Sequence, residues 1–571
     1  MNFAVFDIEA RNWTRYVVGG FYDGEQFRHF GKLDGFFQFL KNNYSIPSRI
    51  FCHYGGQYDF LFLLRHAFAK GYKVGTIIPR GSGILCFDVR VGSRTYSFYD
   101  SSALLSFSLK RLTENFNVET KKGEIDYEKI TVITPELLEY LKSDCIGLWQ
   151  VLEAFYSTDF IQEAGPAVTI ASQAMRVMQN YLKKPLHSLS DEVDLFVRKG
   201  YFGGRTEIFK PLFEGNSKQQ LHCYDVNSLY PTQMHREEFP NKFRKWTKSM
   251  GDSKLGFYEA TVSVPKNEYL PLLGVVHNKK LLFPVGKFRG IWSSLELRYA
   301  EENGVTIEKI HKGAEFQNGG RIFKDFVESI YAIRVKSAKN SVNNQSAKLV
   351  LNASYGKLAI RRLKENIISI EHEDDFYNHE PWRELKCGKK NIMLVKKETT
   401  LKTFSNVAMG AWVTAAGRIH MHRLMKPIQD SIYYMDTDSI FTTKQLPSGE
   451  GLGALKHEYS VNRACFLLPK TYLCEGEEKK IVMKGFANRK IQHFTFEDFY
   501  ATLNGEMGLL KISGEKKFAK FKTASKQGKF LTMVEQGKKE IRAKYDKRII
   551  TRSGKLWDTR PIEIKKESNG K

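Results

Sequence analysis

Carboxylates inserted into otherwise apolar segments constrain this chain more than any other feature. The stretch NFAVFDIEA, residues 2–10, reads as a buried strand, yet it carries Asp7 and Glu9. Side chains alternate along a strand, so residues two apart face the same side. Two buried charges on one face are costly unless something cationic meets them. The segment YYMDTDS repeats the device, with Asp436 and Asp438 flanking Thr437 in a hairpin bounded by Ile432 and Ile440. Asp225 ends a third apolar run, HCYDV, where a strand gives way to a turn and helix at NSLYP.

Two further acids belong with the first pair. Asp59 follows the strand IPSRIFCHY, and Asp144 lies one helical turn after Tyr140, on the same helix face. Together Asp7, Glu9, Asp59 and Asp144 can hold two Mg²⁺ ions, hard cations that prefer oxygen ligands. Two such ions can activate water and stabilise the leaving oxygen in phosphodiester cleavage. Lys122, in KKGEIDYEKI, is a cation for orienting that water or the phosphate.

The partner of such chemistry is a polyanion. Lys and Arg number 88 against 63 Asp and Glu, a net charge of +25. From Lys511 onward 19 basic residues face 7 acidic ones, interleaved with Phe518, Phe521, Phe530 and Trp557. This reads as a folded basic element that grips phosphates. At 571 residues, 42% hydrophobic and 26% charged, the chain is a globular protein of several domains. No apolar run is long enough to span a membrane. The first residues lack the pattern of a secretory signal. The seven scattered cysteines form no CxxC pair, so neither a zinc ribbon nor a disulfide framework is expected. A reducing, cytoplasmic setting fits, the host cytoplasm for a viral source.

Periodicity predicts mixed α/β structure over residues 1–165. It contains a hairpin after the first strand, a helix in YDFLFLLRHAFAKGY, a strand pair turning at Gly92-Ser93, and a helix opened by Thr134-Pro135-Glu136. Residues 166–220 read as mainly helical, 240–320 as β-rich, and 321–362 as a long helical stretch. Residues 363–402 read as charged and irregular, followed by a helix near 405–425. Within AKLVLNASYGK, Lys348, Asn352 and Tyr355 share a helical face that offers a cation for a triphosphate, an amide and a stacking ring. Gly356 would let a base pair approach the backbone closely.

The segments YDVNSLYP, KLVLNASYG and YMDTDS, in this order, resemble the polymerase motifs of family B DNA polymerases. Asp7/Glu9, Asp59 and Tyr140/Asp144 resemble the same family's proofreading exonuclease motifs. Tyr201-Phe202-Gly203-Gly204 and LPKTY narrow the resemblance to the protein-primed branch of linear phages and plasmids. Cellular members carry a sizeable domain before the first exonuclease motif, and the position of Asp7 leaves no room for one. The intervals are long: 123 positions separate Asp225 from Lys348, and 80 separate Gly356 from Asp436. They resemble that branch's two insertions.

The resemblance implies a ribonuclease-H-like α/β exonuclease domain (1–165) followed by an α+β right-hand polymerase. The linker and first part of the palm would cover 166–240, an insertion contacting terminal protein and DNA 241–320, and fingers 321–362. A second insertion for strand displacement and processivity would cover 363–402, the rest of the palm 403–460, and a basic thumb 461–571. It implies two Mg²⁺ or Mn²⁺ ions at each centre. At the polymerase centre Asp225, Asp438 and the carbonyl of Val226 would hold metal, with Asp436 assisting. Tyr230 would police the sugar of a dNTP, and Lys336, Lys348, Asn352 and Tyr355 would bind the nucleotide. Tyr58, Ser101, Ser102, Tyr201, Gly203, Gly204, Gly356, Lys470 and Tyr472 would contact DNA. The partners would be primer–template DNA, dNTPs and a terminal-protein primer, met by a monomer. The chain departs from the pattern in three places. No Asn precedes Tyr58-Asp59, Ala353 separates Asn352 from Ser354, and Ser101-Ser102 replaces a Thr/Ser–Leu pair. The alternative is a 3′–5′ exonuclease whose palm serves only as a DNA-binding scaffold.

Overall fold

The strand that carries the first acid pair lies inside a sheet and is buried on both faces. Ala4–Arg11 pairs antiparallel with Arg15–Tyr22 and parallel with Arg49–Cys52, which in turn runs parallel to Arg94–Asp100. The computed structural model describes residues 2–12, 14–81, 83–123, 125, 132–215, 219–251, 255–360, 363–370, 381–387, 390–400, 405–486, 491–506, 510–518, 534–541, 544–554 and 556–564. Over 363–400 and 510–541 the description is of the backbone.

Alternation along Ala4–Arg11 builds two cores. Ala4, Phe6 and Ile8 pack with Phe36 and Leu64, from the helices Leu33–Asn42 and Asp59–Lys70. Val5 packs on the opposite face with Leu141, Cys145 and Leu148 of the helix Pro135–Tyr156. Thr134 caps that helix through the Leu137 amide, and Pro135 occupies its first turn, as the sequence predicts. Odd-numbered Asp7 and Glu9 therefore face the helix that carries Asp144. The predicted turn at Gly92-Ser93 also holds, with Val91 paired to Arg94.

The chain then crosses to a second sheet through the helices Ile170–Asn180 and Asp191–Lys199. In spatial order this sheet contains Lys479–Met483, Thr471–Gly476, Leu455–Leu468, Leu221–Val226, Ser439–Thr442, Ile432–Asp436 and Thr206–Ile208. It brings Asp225 beside the Asp436–Ser439 hairpin. The strand Leu455–Leu468 spans position 461, the residue at which the thumb is expected to begin, with a shift of register between Val461 and Arg463. The palm-type sheet continues to Met483 because these three strands pair consecutively.

Residues 240–318 form the expected β-rich unit, a sheet whose fifth strand, Glu563–Ile564, arrives from the C-terminal region and pairs parallel with Val285–Gly286. The helical stretch 321–362 resolves into two helices, Lys324–Lys336 and Val342–Leu358. The expectation of irregular structure over 363–402 is corrected. Leu363–Ile370, Pro381–Cys387 and Lys390–Thr400 are strands paired antiparallel. Leu363–Ile370 also pairs with Lys73–Arg80, so this segment extends the first sheet.

The described parts of the basic C-terminal region include two pairs of strands. Leu510–Phe518 pairs with Val534–Ile541, and Arg548–Ser553 forms a hairpin with Leu556–Pro561. Phe521 and Phe530 lie outside the described residues. Among the described residues six cysteines are buried and free, and no helix is long and apolar enough to cross a membrane.

Candidate functional sites

In the first domain Asp7, Glu9 and Asp144 each bring a ligand atom within 4.8 Å of the others. Asp59, 2% exposed, stands at the start of its helix and couples electrostatically to Asp7 and Glu9. The four predicted acids thus converge, three of them tightly. Burial, then the Asp144 charge, raises Asp7 to about 7. Burial and the charges of Asp7 and Asp144 raise Glu9 to about 9. Burial also raises Asp59 and Asp144. Asp59 Oδ1 and Asp144 Oδ1 are buried without a hydrogen-bond partner. Oxygen-only donors, mutual repulsion and two orphaned lone-pair sites fit a hard divalent cation.

Lys122 lies in this cluster. It contacts Asp144 Oδ2 and donates to the Tyr140 hydroxyl at 2.6 Å. The predicted DNA contacts nearby divide into inward and outward groups. Ser101 is wholly buried and is spent on the His53 ring at 2.9 Å and the Cys52 carbonyl, while Ser102 is 4% exposed and gives its amide to Asp100. Both residues are buried in the fold. Tyr58 caps the Asp59 helix and sets its ring edge-on to Phe62. Exposed Tyr54, with φ +58 and its hydroxyl on the Ser106 carbonyl, is the surface aromatic at this point, and the sequence reading did not select it.

At the second centre Asp225 pairs with Ser439 across the sheet, and Asp436 pairs with Ser439 across the two-residue turn Thr437-Asp438. The Val226 amide donates to the Asp438 carbonyl at 2.8 Å, locking the two acid strands together. Burial, then Asp438 and Glu458, raises Asp225 to about 7, and burial, then Asp436, raises Asp438. Asp436 is different because both its oxygens are engaged. Oδ1 accepts from Thr206 Oγ1 at 3.1 Å and Thr437 Oγ1 at 3.3 Å, and Oδ2 meets Lys470 Nζ at 3.0 Å. This fits divalent cations on Asp225 and Asp438, with Asp436 in a supporting place.

Left-handed backbone marks the same ground. Ser228, Thr437 and Lys470 have φ of +56, +63 and +59, a conformation that costs an L residue of this kind about 1–3 kcal/mol. The strain is held by neighbours: the Thr437 amide donates to the Arg205 carbonyl, and the Lys470 amide to the Tyr434 hydroxyl. Gly204 is required here, since a Cβ would lie 2.6 Å from Thr437 and 2.9 Å from the Tyr230 hydroxyl. Gly203 and Gly356 face open space. Arg418, buried and paired with Glu296 at 2.6 Å, holds the carbonyls of Phe202 and Gly203 and so fixes the linker beside half-buried Tyr201.

The helix Val342–Leu358 presents exposed Lys348 and Asn352 with half-buried Tyr355. Tyr355 and Tyr230 meet ring to ring at 4.3 Å. The end of the Lys348 chain is crowded, and desolvation, then Arg334, Arg111 and Lys456, lowers its pKa. Lys336 is exposed in the last turn of its helix. Arg334, two residues earlier, bonds Ser228 Oγ at 2.9 Å and faces Lys348 instead. Helical spacing of two rotates a side chain by more than half a turn, so one of the two cations points away. Tyr472 packs within 5.3–5.6 Å of the rings of Tyr434, Phe441 and Phe466. Arg334, Lys456, Glu458 and Thr206 carry no sequence signal, because sheet register and helix packing alone bring them to the site.

Two acidic centres on one chain, one in a mixed α/β domain and one in a palm-type sheet under two helices, define a right-hand multidomain protein. The family model for DNA polymerase type B, organellar and viral, matches residues 42–134 and 130–438, and the chain belongs to that family. It is 29% identical over 504 residues to a probable DNA polymerase of Podospora anserina, covering 72% of this chain and 41% of that protein. It spans about two fifths of the length of such fungal relatives. It is 27% identical over 497 residues to the DNA-directed DNA polymerase of Enterobacteria phage PRD1, covering 82% and 81%. It is 26% identical over 478 residues to the DNA polymerase of Bacillus phage phi29, covering 74% and 78%. The solved phi29 polymerase with primer-template DNA and incoming nucleotides superposes with a TM-score of 0.75 at 21% identity, over 95% of this chain and all of that one.

Proposed function

We propose that this chain is a template-directed DNA polymerase with a 3′–5′ exonuclease, initiating on a terminal-protein primer and displacing strands processively. It acts on primer–template DNA and dNTPs, as a monomer, in the cytoplasm of its host. The observation that carries the reading is the pairing of Asp225 with the Asp438 turn in one sheet, with the Lys348 charge acting on Asp225 and the rings of Tyr230 and Tyr355 in tilted contact beside it. In the reaction the primer 3′ oxygen attacks the α-phosphate of a dNTP and pyrophosphate leaves. Asp225 and Asp438 would hold divalent cations, which supply Lewis acidity when bound. Lys348 and Arg334 offer donors to the triphosphate as its charge develops. Tyr230, wedged by Tyr355 and Gly204, forms a rigid floor for the deoxyribose. Lys470 and Tyr472 hold the primer end. In the first domain Asp7, Glu9, Asp59 and Asp144 would hold the ions for hydrolysis, and Lys122 with Tyr140 would orient the phosphate or water.

Primer extension with dNTPs and Mg²⁺, followed by degradation of a 3′-labelled single strand, tests the pair of activities. Degradation without extension would leave a nuclease on a DNA-binding scaffold. Labelled-dNTP transfer to a candidate terminal protein tests the priming partner.

A further inference from the structure

The C-terminal region returns to the second acidic centre. Tyr545 is buried, and its hydroxyl accepts the Ile208 amide at 3.1 Å. Arg548 is fully buried with the rings of Phe209 and Tyr269 each 4.8 Å from its guanidinium. It donates to the carbonyls of Tyr269 and Thr559 and stands 3.6 Å from Glu207, which Arg205 engages at 2.6 Å. Between these two anchors Lys547 donates from Nζ to the Thr206 carbonyl at 3.1 Å. Thr206 is the register partner of Asp436, and its hydroxyl is one of that carboxylate's donors.

The strand Thr206–Ile208 has three residues and lies at the edge of its sheet. An edge strand that short has few ladder bonds to hold it, and a loosely held hydroxyl orients nothing. Burial disfavours the charge on Lys547, with Glu207 opposing that effect, so the ammonium is kept at a cost. We propose that Lys547 is a positioning residue for the polymerase centre: by clamping Thr206 it fixes the hydroxyl that orients Asp436. The inference rests on the polymerase reading above. It joins a residue 111 positions beyond Asp436 to the geometry of that carboxylate.

The test compares wild type with Lys547→Met, Lys547→Arg, Thr206→Val and Thr206→Ser. Lys547→Met and Thr206→Val should each lower the kcat of primer extension roughly tenfold, the scale of one charge-assisted hydrogen bond. They should raise the Mg²⁺ concentration for half-maximal extension and leave the KM for dNTP nearly unchanged. Lys547→Arg and Thr206→Ser should recover most of the loss. Degradation of a 3′-labelled single strand should match wild type throughout, because its acids lie in another domain. Extension by Lys547→Met and Thr206→Val that equals wild type at every Mg²⁺ concentration would overturn the inference. So would a parallel fall in both activities with a lowered unfolding temperature, which would make the contact one of general stability. If wild type degrades a single strand but extends no primer, the polymerase reading itself falls, an outcome separate from either of these.

Discussion

The two acidic centres solve the same electrostatic problem in different ways. In the first domain three carboxylates crowd within 4.8 Å, with burial and mutual repulsion raising Asp7 to about 7 and Glu9 to about 9 and burial raising Asp144. In the second sheet Asp436 accepts from Thr206 and Thr437 and pairs with Lys470, while Asp225 feels the charge of Asp438 beside its register partner Ser439. The first centre is assembled by a strand meeting a helix, so its acids are fixed by the core on both sides. The second hangs on a two-residue turn and an edge strand, so it depends on contacts drawn from distant parts of the chain. A preassembled acid cluster stores repulsion, whereas a hairpin centre stores backbone strain.

The sharpest way to break the comparison is to remove one centre and assay the other. Asp438→Ala should lower primer extension by at least ~10³-fold while single-strand degradation persists. Extension near the wild-type rate would refute the palm assignment. Asp7→Ala with Glu9→Ala should do the reverse, abolishing degradation of a 3′-labelled strand and raising misincorporation. Persistent degradation by that protein, purified to homogeneity, would move the nuclease centre elsewhere.

A pH experiment separates the centres thermodynamically. Asp7 and Glu9 keep protons in the folded state that the unfolded chain has already released, because their pKa values rise from 3.8 and 4.5 to about 7 and about 9. Stability without metal should therefore fall as pH rises from about 5 to about 9, by up to ~1.4 kcal/mol per pH unit for each retained proton. Mg²⁺ should raise the unfolding temperature by more at pH 8 than at pH 6, and Asp7→Ala with Glu9→Ala should remove most of that difference. An Mg²⁺ shift independent of pH would show that the cluster does not take the ion.

Smaller effects sharpen the second centre. Tyr230→Val should raise ribonucleotide use more than it lowers deoxynucleotide use, and unchanged sugar discrimination in steady-state kinetics would point to another gate. The basic region cannot be tested by truncation before Lys511, because that removes buried Tyr545 and Arg548 and with them the support of Thr206–Ile208. Changing Lys511, Lys516 and Lys517 to Gln should instead reduce the slope of log affinity against log salt by up to about 2.7, with single-turnover chemistry at saturating DNA little altered. An unchanged slope would mean that this strand does not touch phosphate.

What could be read from the residues followed from local rules. Period-two alternation places Asp7 and Glu9 on one face, helical spacing places Tyr140 with Asp144 and Lys348 with Tyr355, and the Thr134-Pro135 cap opens its helix where expected. The acids of both centres stand out because charge inside an apolar run has no local explanation. Tertiary structure decided the rest. The strands at 363–400 take their place in the first sheet by pairing with Lys73–Arg80, nearly 300 residues earlier in the chain, which local sequence cannot announce. Ser101 turns inward because its bond to His53, 48 residues away, is closed by the fold. Arg334 rather than Lys336 faces Lys348 because helix packing sets the rotation of that helix. Thr206, Lys547 and Arg548 reach the second centre through pairings more than 200 residues apart in the chain, where no local periodicity can act. Sequence spacing determines which side chains share a face, and only long-range packing determines what that face meets.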